Sequence, residues 1–504
     1  MLREIQKGPH ALALACGALL ACGGDDAAAG PRGGGPALTY YGDAKAIVDA
    51  RCATCHSPGN IGPFSLTSYE DVETYAVPMR AAIALGTMPP WQPADECNDY
   101  AFNFDLTPEE RQTLLDFLDQ GAPEGDPADA PEGPGPDALP GFEADLSLRL
   151  PEAYTPVREP DDYRCQLIEW PADETRYVTG LRVTPDRRDI VHHVIVFLVG
   201  PEQVEQYRAY DEAEEGPGYT CYGGPTANDA GGLLAGIDPA ELFAALDELG
   251  LTLAELQAGE VPPEQVLALL EAVGAAGSLN AFNSLGSWVP GTPNGPYPAG
   301  TGIRVEPGSL LVAQFHYNTL SSAPAADQSV IEIATAESVE REATMLGFLD
   351  PGWVSDGLLG DPMTIPAGAE SVSHETSAPF DSLFFAGPRA TLGLPEDAPL
   401  VVHTANHHMH ELGRQQRTEL RHPDGSTTCL LDIPDWDFGW QGSYTLGAPV
   451  VIRPGDRLWM GCNWDNGPAN QPVHDGAVRE PQDVSWGEGT TDEMCLGAFY
   501  VTGL

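Results

Sequence analysis

Hydrophobic and polar positions alternate in different ways along the chain. From about residue 146 onward, short β-like runs are separated by turns of proline and glycine, a pattern typical of antiparallel β-sandwiches. Residues 227–280 interrupt it with two amphipathic helical segments, which begin at Asp238-Pro239 and at Pro263. The β pattern resumes at Gly302. We therefore predict two all-β sandwich domains, with a helical insertion in the first.

A helical pattern precedes the β region, over residues 39–125. Its last helix has clear signals: Thr107 is an N-cap, Pro108 takes the first helical position and Glu110 closes a capping box. Gly121 ends this helix. Residues 126–145 are rich in proline, glycine and acidic residues, which is typical of a linker. The pattern predicts a small all-α domain joined to the sandwiches by a flexible segment.

The charge of the chain excludes some partners. There are 24 basic and 75 acidic residues, so the formal net charge is −51. Nucleic acids and anionic membranes attract the opposite sign, and we expect neither to bind. Such acidity could steer a partner, but a soluble surface suited to a salty or exposed environment is the simpler interpretation. At 504 residues, the chain is also too long for one hydrophobic core.

The first residues are typical of an export signal. Arg3 and Lys7 precede an apolar run at residues 11–21, which is too short to span a bilayer. The run ends in LLACG, which resembles a bacterial lipobox with Cys22 as the acylated residue. A signal-peptidase site among small residues and acylation at Cys16 are the alternatives. We expect a cell-envelope lipoprotein, on the periplasmic or outer-surface side, attached to the membrane only through this anchor.

Residues 51–56, RCATCH, contain a C-x-x-C-H motif. Cys52 and Cys55 are spaced to bond the two vinyl groups of one haem, and His56 then reaches the iron. A redox dithiol would need a βαβ context, and half a zinc site would need a partner pair. In an exported chain, c-type haem is therefore the favoured interpretation. Met88, on a proline-bounded loop, is the predicted second axial ligand, with Met79 as the alternative, and the helical domain looks like a small cytochrome c.

Four histidines fall within residues 401–413, VVHTANHHMHELG, a segment that begins like a β-strand. Residues two apart in a strand point to the same side, so His408 and His410 form a chelating pair while Met409 points away. Neutral imidazole is the commonest ligand for transition metals. A polar turn with surface histidines is the alternative, but the density of histidines favours a metal site.

Two other strands carry histidines. His192 and His193 lie within residues 189–200, and His316 lies near the end of the run Leu310–Asn318. Adjacent residues of a strand face opposite sides, so His192 and His193 can share a metal only at a bulge or at a strand end. A buried histidine beside a surface histidine is the alternative.

These motifs, in this order, resemble the copper type II, ascorbate-dependent monooxygenases, the family of peptidylglycine α-hydroxylating monooxygenase and dopamine β-monooxygenase. The resemblance covers about residues 150–504, without the helical insertion. It implies that one copper is held by His192, His193 and the histidine of a Gln-x-His-Tyr motif, His316. It implies that a second copper is held by His408 and His410, followed by Gly413, and by Met494 of an Asp-Glu-Met-Cys motif.

The resemblance also implies a set of disulfides. Because an exported chain folds in an oxidising compartment, its cysteines beyond the C-x-x-C-H motif should mostly be paired. The pairs Cys165–Cys221 and Cys462–Cys495 are those implied by the family. Cys97 and Cys429 remain, and their pairing follows from elimination alone.

The function implied by the resemblance is that of a dicopper monooxygenase. O2 would bind at the copper of His408, His410 and Met494, where an aliphatic C–H of a small organic substrate is hydroxylated, and the other copper would supply the second electron. A thioether with two imidazoles is a soft ligand set that favours Cu(I). Ascorbate is the usual reductant of the family. The C-x-x-C-H motif suggests a different supply, in which a haem reduced by an external donor feeds the histidine-rich copper.

The substrate is not implied so directly. The peptide-hydroxylating branch of the family binds a substrate carboxylate through an arginine before the His-x-His motif, and through an asparagine and a tyrosine after the methionine. Asn406, Leu496 and Ala498 stand at these places here. No guanidinium is present to clamp a carboxylate, so peptide amidation is not expected. An apolar or aromatic small molecule suits Leu496 and Phe499 better.

Two other functions are open. One is a non-catalytic lipoprotein that transfers electrons or carries copper, which would gain nothing from an open O2 site. The other is a zinc hydrolase, which needs a carboxylate base beside a three-ligand zinc. Glu411 adjoins His410, but strand geometry turns it to the other side.

The predicted fold class is multidomain: a small all-α cytochrome c-like domain, then two all-β antiparallel, jelly-roll-like sandwiches. The predicted boundaries are a signal peptide at residues 1–21, a tether at 22–38, the haem domain at 39–125, a linker at 126–145, the first sandwich at 146–345 with its insertion at 227–280, and the second sandwich at 346–504.

Overall fold

The computed structural model describes residues 37–504, apart from 54, 58–61, 63, 102, 104, 132–141, 228–238, 258–260, 262–264, 266–267, 270–271, 273–282, 290–294, 321, 355–360 and 475–476. The chain divides into two compact units. A helical unit ends at Trp91 and resumes at residue 104, whereas a β unit comprises Gln92–Asn103 and the chain from Leu139 onward. The predicted signal peptide, Cys22 and most of the tether lie outside the described residues.

Short helices make up the first unit. A π-helical turn, Tyr40–Ala44, continues into helix α1, Lys45–Arg51. Helix α2, Tyr69–Leu85, and helix α3, Pro108–Asp119, follow, and a 3₁₀ turn lies at Pro127–Asp129. Their apolar faces pack around one buried core, in which Val48, Val72, Met79, Leu114 and Phe117 take part.

The start of α3 follows from local chemistry. The hydroxyl of Thr107 accepts the N–H of Glu110 at 3.1 Å, and the carboxylate of Glu110 accepts the N–H of Thr107 at 2.9 Å. Both bonds satisfy N–H groups that have no partner inside the helix. The predicted capping box is confirmed.

The β unit contains most of the regular structure. Its strands are β1 Leu146–Arg149, β2 Asp161–Glu169, β3 Arg176–Thr184, β4 Val191–Val199, β5 Tyr219–Thr220, β6 Ser284–Trp288, β7 Thr301–Val305, β8 Leu310–Asn318, β9 Val330–Ala336, β10 Arg341–Phe348, β11 Thr364–Ile365, β12 Val372–Pro379, β13 Leu400–His408, β14 Gly413–Arg421, β15 Thr427–Ile433, β16 Ser443–Ile452, β17 Arg457–Trp464, β18 Val473–His474, β19 Ala477–Val478, β20 Val484–Ser485 and β21 Leu496–Gly503. Its helices are α4 Val204–Ala213, α5 Pro239–Leu249, α6 Leu253–Gln257, α7 Pro351–Val354 and α8 Leu383–Thr391, and a 3₁₀ turn lies at Pro468–Asn470.

Three larger sheets hold 17 of these strands, while β11 pairs with β20 and β18 with β19 in two-stranded sheets. An eight-stranded sheet has the order β1-β9-β3-β7-β10-β21-β13-β16, a five-stranded sheet has the order β5-β2-β8-β4-β6, and a four-stranded sheet has the order β12-β17-β14-β15. A core that includes Val194, Phe315, Leu181 and Ile331 fills the space between the five-stranded sheet and the first half of the large sheet. At the other half, Nε2 of His407 on β13 lies 2.8 Å from the hydroxyl of Thr418 on β14, so the four-stranded sheet faces β13.

The predicted fold class is wrong. Strands make up 35% of the described residues and helices 21%, and the strands belong to several sheets rather than to two antiparallel sandwiches. The large sheet crosses the predicted boundary at residue 345, because β10 pairs in parallel with β7 and antiparallel with β21. Hydrophobic alternation indicates which face of a strand is buried. It does not indicate which strand lies alongside, because every strand edge offers the same N–H and C=O groups.

The all-α part of that prediction also fails. The helices of the first unit do not form a clear all-α cytochrome domain. The chain between α2 and α3 leaves the helical unit, since residues 92–103 belong to the β unit. Caps and periodicity predict single helices, but they do not predict which unit the connecting segments join.

Part of the predicted insertion is described. Helices α5 and α6 are present, and Leu242, Ala245 and Leu246 of α5 pack against Leu269. The start of the second predicted segment, at Pro263, lies outside the described residues. In the described part of the chain, no helix is both long and apolar enough to cross a membrane.

Candidate metal centres

The first group of histidines lies where β4 meets β8. The register of this antiparallel pair shifts between Val191 and His193, and His193 then lies opposite His316. Such an irregularity is the bulge that two adjacent histidines need in order to turn toward one point. The ligand nitrogens of His192, His193 and His316 lie within 4.8 Å of one another, and this is the one group of three or more His, Cys, Asp or Glu ligands so arranged among the described residues.

The ring nitrogens of this group converge as metal ligands do. Nδ1 of His316 lies 3.2 Å from Nδ1 of His192 and 3.4 Å from Nδ1 of His193. Two nitrogens bound to one metal at about 2.0 Å, at an angle of about 105–115°, are separated by roughly 3.2–3.4 Å. Lone pairs aimed at one point repel one another unless a cation or a shared proton lies between them. The donor set therefore fits a metal ion such as copper or zinc.

A partly buried carboxylate determines which nitrogen of His316 is free. Nε2 of His316 donates to Oδ1 of Asp161 at 2.8 Å, so Nδ1 carries the lone pair. Asp161 also accepts from Nδ2 of Asn318 at 2.8 Å and from the hydroxyl of Thr490 at 2.7 Å. Burial would raise the pKa of Asp161, but these hydrogen bonds, led by that from His316, lower it below its ordinary value. Asp161 is therefore ionised and orients the imidazole, as carboxylates behind metal ligands do.

Asp161→Asn is expected to weaken copper binding by the first group about 10–100-fold, the usual cost of losing a partner behind a metal-ligating histidine. The amide has the same shape but no charge, so the N–H of His316 loses its anionic acceptor and the required tautomer is less favoured. The measurement is a Cu(II) titration against a competing chelator. Asp119→Asn, in the exposed ion pair with Arg80, is the control. Equal affinity in both variants would contradict the prediction.

Burial keeps the other two histidines of the group neutral. The pKa values of His192 and His193 lie well below the ordinary value, first because burial disfavours the charged ring and second because His316 lies beside them. On the far side, the ring of Tyr163 stacks on His316 with 4.0 Å between centroids. Neutral imidazole is the form that binds a metal, so these rings need not lose a proton first.

The second pair of histidines lies at the end of β13. His408 is the last residue of the strand, His410 follows two residues later, and their ring centroids are 5.1 Å apart. Nδ1 of His408 donates to Oε1 of Gln441 at 2.6 Å, and Nδ1 of His410 donates to the carbonyl of Asp492 at 3.1 Å. Both rings therefore present Nε2. Burial lowers the pKa of His408 to about 4 and that of His410 to about 3, so both are neutral at pH 7.

The turn after this pair requires close packing. Met409 is fully buried. A Cβ on Gly413 would lie 2.8 Å from the ring of Trp436 and 3.0 Å from Cβ of Met409, so glycine is needed there. The carboxylate of Glu411 contacts Nε2 of His474 at 2.9 Å.

Residues on both sides of Met494 are attached to the second pair. The carboxylate of Glu493 accepts the N–H of His410 at 3.0 Å and the N–H of Leu412 at 2.6 Å. Cys495 is bonded to Cys462, and Leu496 lies opposite His408 in the register of β13 and β21. Met494 itself is 5% exposed. These contacts place its segment alongside the turn that carries His410.

The two groups of histidines adjoin each other. The ring centroids of His193 and His408 are 6.4 Å apart. Phe438 lies 4.8 Å from the ring of His192 and 5.8 Å from the ring of His410, so one side chain contacts a member of each group. The sequence pattern suggests only ordinary core packing for the aromatic segment that carries Phe438. Asp161 and Gln441 are also missed, because neither has a spacing that sets it apart.

Two histidines of the segment 401–413 lie outside the site. Nε2 of His403 contacts the hydroxyl of Thr502 at 2.9 Å, and His407 contacts Thr418 as described above. Both rings are buried in the packing around β13. They show why histidine density alone does not identify the ligands.

The C-x-x-C-H motif follows α1. Cys52 and Cys55 are free thiols, and both are partly buried. Burial raises the pKa of Cys52 to about 12 and that of Cys55 to about 11, so neither is a thiolate at neutral pH. Nδ1 of His56 donates to the carbonyl of Phe64 at 3.0 Å, which leaves Nε2 free. Two unbonded thiols beside a histidine with a free Nε2 fit a covalently attached haem.

The two methionines considered as the second haem ligand lie in different surroundings. Met79 is buried in the core of the helical unit. Met88 is only partly buried and lies beyond the end of α2. Because Met79 already packs the core, Met88 stays the predicted ligand.

Three disulfides are present among the described residues, which confirms the predicted disulfide bonding. Cys165 is paired with Cys221 and Cys462 with Cys495, the pairs that the family resemblance implied. Cys97 is paired with Cys429, 332 residues further along the chain. Disulfides are typical of proteins that fold in an oxidising compartment.

Comparison with known proteins does not identify a family. No protein-family model and no curated protein matches the chain. Among solved structures, an uncharacterized protein from Listeria monocytogenes EGD-e shows 10% identity with a TM-score of 0.13, over 38% of this chain and 14% of that chain. The infectious bursal disease virus VP2 subviral particle shows 11% identity with a TM-score of 0.14, over 73% of this chain and 72% of that chain. Neither likeness is close enough to carry an argument.

Proposed function

We propose that the chain is a copper-dependent monooxygenase of the type II, ascorbate-dependent kind, which hydroxylates an aliphatic C–H of a small organic substrate with O2. One observation carries this proposal: three converging ring nitrogens, those of His192, His193 and His316, lie beside a second pair of neutral imidazoles. A separate three-histidine site and a thioether-containing site are the ligand sets that this chemistry requires.

Each group would hold one copper ion. His192, His193 and His316 would bind the first, and His408, His410 and Met494 would bind the second. Bound copper would supply one-electron chemistry at both sites and an open position for O2 at the softer site. The protein keeps the imidazoles neutral by burial and fixes their tautomers through Asp161 and Gln441. These contacts hold the ligands in place before the metal arrives, which lowers the cost of binding it.

The short distance between the groups supports a joint function. With 6.4 Å between the rings of His193 and His408, an electron exchanged between the two ligand sets has a short distance to travel. Two isolated copper-storage sites would not need this proximity. A non-catalytic copper carrier is the second candidate. Substrate-dependent O2 uptake would distinguish the monooxygenase from such a carrier.

A zinc hydrolase is less well supported. Such an enzyme needs a carboxylate base that is free to act on a zinc-bound water. The carboxylate nearest in sequence, Glu411, is engaged with His474. The contact with Glu411 raises the pKa of His474 above its ordinary value, mainly through the hydrogen bond between them.

The surroundings of the second pair favour an uncharged substrate. Nδ2 of Asn406 donates to the carbonyl of Gly442 at 2.8 Å, so this amide is used within the protein. Leu496, opposite His408, is partly exposed and apolar. We therefore propose an apolar or aromatic substrate, and not a peptide bound by its carboxylate.

Electrons are proposed to come from a c-type haem bonded to Cys52 and Cys55, with His56 and Met88 as axial ligands, or from ascorbate. The proposal of the haem route rests on the joining of two redox-active motifs in one chain. An external donor would reduce the haem. We also propose that the chain is exported and lipid-anchored at Cys22.

The test of the proposed function is a metal and haem analysis of protein produced in an exporting host supplied with copper. We expect two copper ions and one covalently bound haem per chain, and a visible spectrum typical of c-type haem. Rapid mixing of the reduced protein with O2 then tests the electron route. Haem that oxidises no faster in the copper-loaded protein than in the copper-free protein would contradict it, and zinc in place of copper would contradict the proposed function itself.

A further inference from the structure

Residues 92–101, which we call the strap, belong to the β unit, although the chain before residue 92 and the chain from residue 104 belong to the helical unit. The N–H of Gly447 donates to the carbonyl of Asp99 at 2.6 Å, and the N–H of Ala101 donates to the carbonyl of Thr445 at 2.8 Å. The strap therefore forms an antiparallel bridge, Tyr100 to Leu446, with β16, which is an edge of the eight-stranded sheet. A Cβ on Gly447 would lie 3.1 Å from the Asp99 carbonyl, so glycine allows this close approach without a shift of the strap.

The strap is also bonded to the edge of the other sheet. Cys97 forms its disulfide with Cys429 of β15, the outer strand of the four-stranded sheet. Nδ2 of Asn98 donates to the carbonyl of Cys429 at 3.1 Å, and the hydroxyl of Tyr100 donates to the carbonyl of Leu430 at 3.0 Å. The strap thus joins two sheet edges that would otherwise expose unpaired backbone groups.

The first residues of the strap reach the loop that supports the metal ligands. We call residues 434–441 the ligand loop. The N–H of Ala94 donates to the carbonyl of Asp432, just before this loop, at 2.8 Å. In the orientation that gives both its amide nitrogen and its amide oxygen a partner, Gln92 donates to the carbonyl of Trp440 at 3.1 Å and accepts the N–H of Asp437 at 2.7 Å. Gln92 therefore closes the ligand loop across its tip.

The ligand loop contacts both groups of histidines. Nε1 of Trp436 donates to the carbonyl of His410 at 3.2 Å, and Phe438 packs on His192 and His410. Gln441 holds Nδ1 of His408, while its own amide nitrogen donates to the carbonyl of Phe438 at 3.0 Å. A shift of this loop would break the hydrogen bond from Gln441 that fixes the tautomer of His408. It would also move the ring of Phe438, which contacts a histidine of each group.

We propose that the strap is a positioning element for the metal site of His408, His410 and Met494. It holds the ligand loop through Gln92 and Ala94, and the Cys97–Cys429 disulfide fixes the strap itself. Among the described residues, the hydrogen bonds of Gln92 and the disulfide of Cys97 go to residues other than the metal ligands, so both act through the loop as positioning residues. This inference rests on the proposed function, because it assumes that the second site binds copper.

The experiment measures Cu(I) affinity of the full chain against a competing chelator. A His316→Ala background weakens the first site so that the second dominates the titration, and a Met494→Ala background weakens the second so that the first dominates. In the first background, Gln92→Ala and the double variant Cys97→Ser/Cys429→Ser are expected to weaken Cu(I) binding about 10-fold or more, as for other residues behind metal ligands. In the Met494→Ala background, the same substitutions should weaken first-site binding less than they weaken second-site binding. The loop contacts the first group through the ring of Phe438 on His192, whereas it reaches the second group through Trp436, Phe438 and Gln441.

Gln328→Ala is the matched control. Nε2 of Gln328 also donates to a backbone carbonyl, that of Leu150, at 2.8 Å, but Leu150 belongs neither to the ligand loop nor to the histidine groups. This control should leave both affinities unchanged. A thermal unfolding curve for each variant shows whether it folds. If the double cysteine variant does not fold, Gln92→Ala alone supplies the test.

Two results would overturn the inference. One is an unchanged second-site affinity in Gln92→Ala while the unsubstituted chain binds two copper ions. The other is an equal loss at both sites in step with the unfolding temperature, which would make the strap a cover for sheet edges only. If the unsubstituted chain binds no copper, the proposed function fails and the inference fails with it.

Discussion

Met494→Ala is expected to remove sulfur from the coordination of the second copper and to abolish substrate-dependent O2 uptake. The thioether is the soft ligand that favours Cu(I), and two imidazoles alone bind Cu(I) less selectively. Cu(I) affinity at this site should fall at least about 10-fold, the lower limit seen for residues behind metal ligands. X-ray absorption at the copper edge measures the loss directly, since sulfur and nitrogen scatter differently.

Met409→Ala is the control for this prediction. Met409 lies between the two histidines in sequence, but it is fully buried in packing. Both substitutions remove a buried methionine, so both are expected to cost about 2–5 kcal/mol of folding free energy. Only Met494→Ala should lose the sulfur signal. A sulfur signal that persists in Met494→Ala, or that disappears in both variants, would contradict the assignment of Met494 as a ligand.

His316→Ala is expected to lower the copper content from two ions per chain to one. His316 is the member of the first group whose Nδ1 lies close to the Nδ1 of both other histidines, at 3.2 and 3.4 Å. Without it, His192 and His193 offer only two nitrogens, and Asp161 keeps only its bonds to Asn318 and Thr490. First-site affinity should fall by more than about 100-fold, beyond the usual effect of residues behind the ligands.

His403→Ala separates ligand loss from the loss of a buried ring. His403 is also buried and hydrogen-bonded, but its partner is Thr502 and it lies outside both groups. We expect this variant to keep two copper ions. The measurements are copper per chain after dialysis and the Cu(II) paramagnetic resonance spectrum, which should lose one component in His316→Ala alone. Retention of both components would place the first copper elsewhere.

The local parts of the site were predictable from the sequence. His408 and His410 lie two positions apart, and backbone geometry turns such residues to the same side whatever the rest of the fold does. The same reasoning predicts that Met409 points to the other side. The capping box at Thr107 and Glu110 is equally local, and it is present. These features depend only on residues within a few positions of one another.

The arrangement of the sheets was not predictable in the same way. Expectations of two separate antiparallel sandwiches and an all-α domain were wrong, because β7, β10 and β21 join in one sheet across the expected boundary. The alternation of apolar residues in β10 and β21 is compatible with pairing to several different strands. The choice among partners depends on how whole layers pack, and that energy has no local signature.

By itself, the sequence determined which side chains could serve as ligands, through the His-x-His and C-x-x-C-H spacings and through caps that need no distant partner. Only the tertiary structure decided which of them meet: the bulge that turns His192 and His193 toward His316, 124 residues beyond His192, and the loop that brings Phe438 and Gln441 between the two groups. The physical reason is that spacing along a strand is set by covalent geometry, whereas contact between distant strands is set by the packing of the entire core.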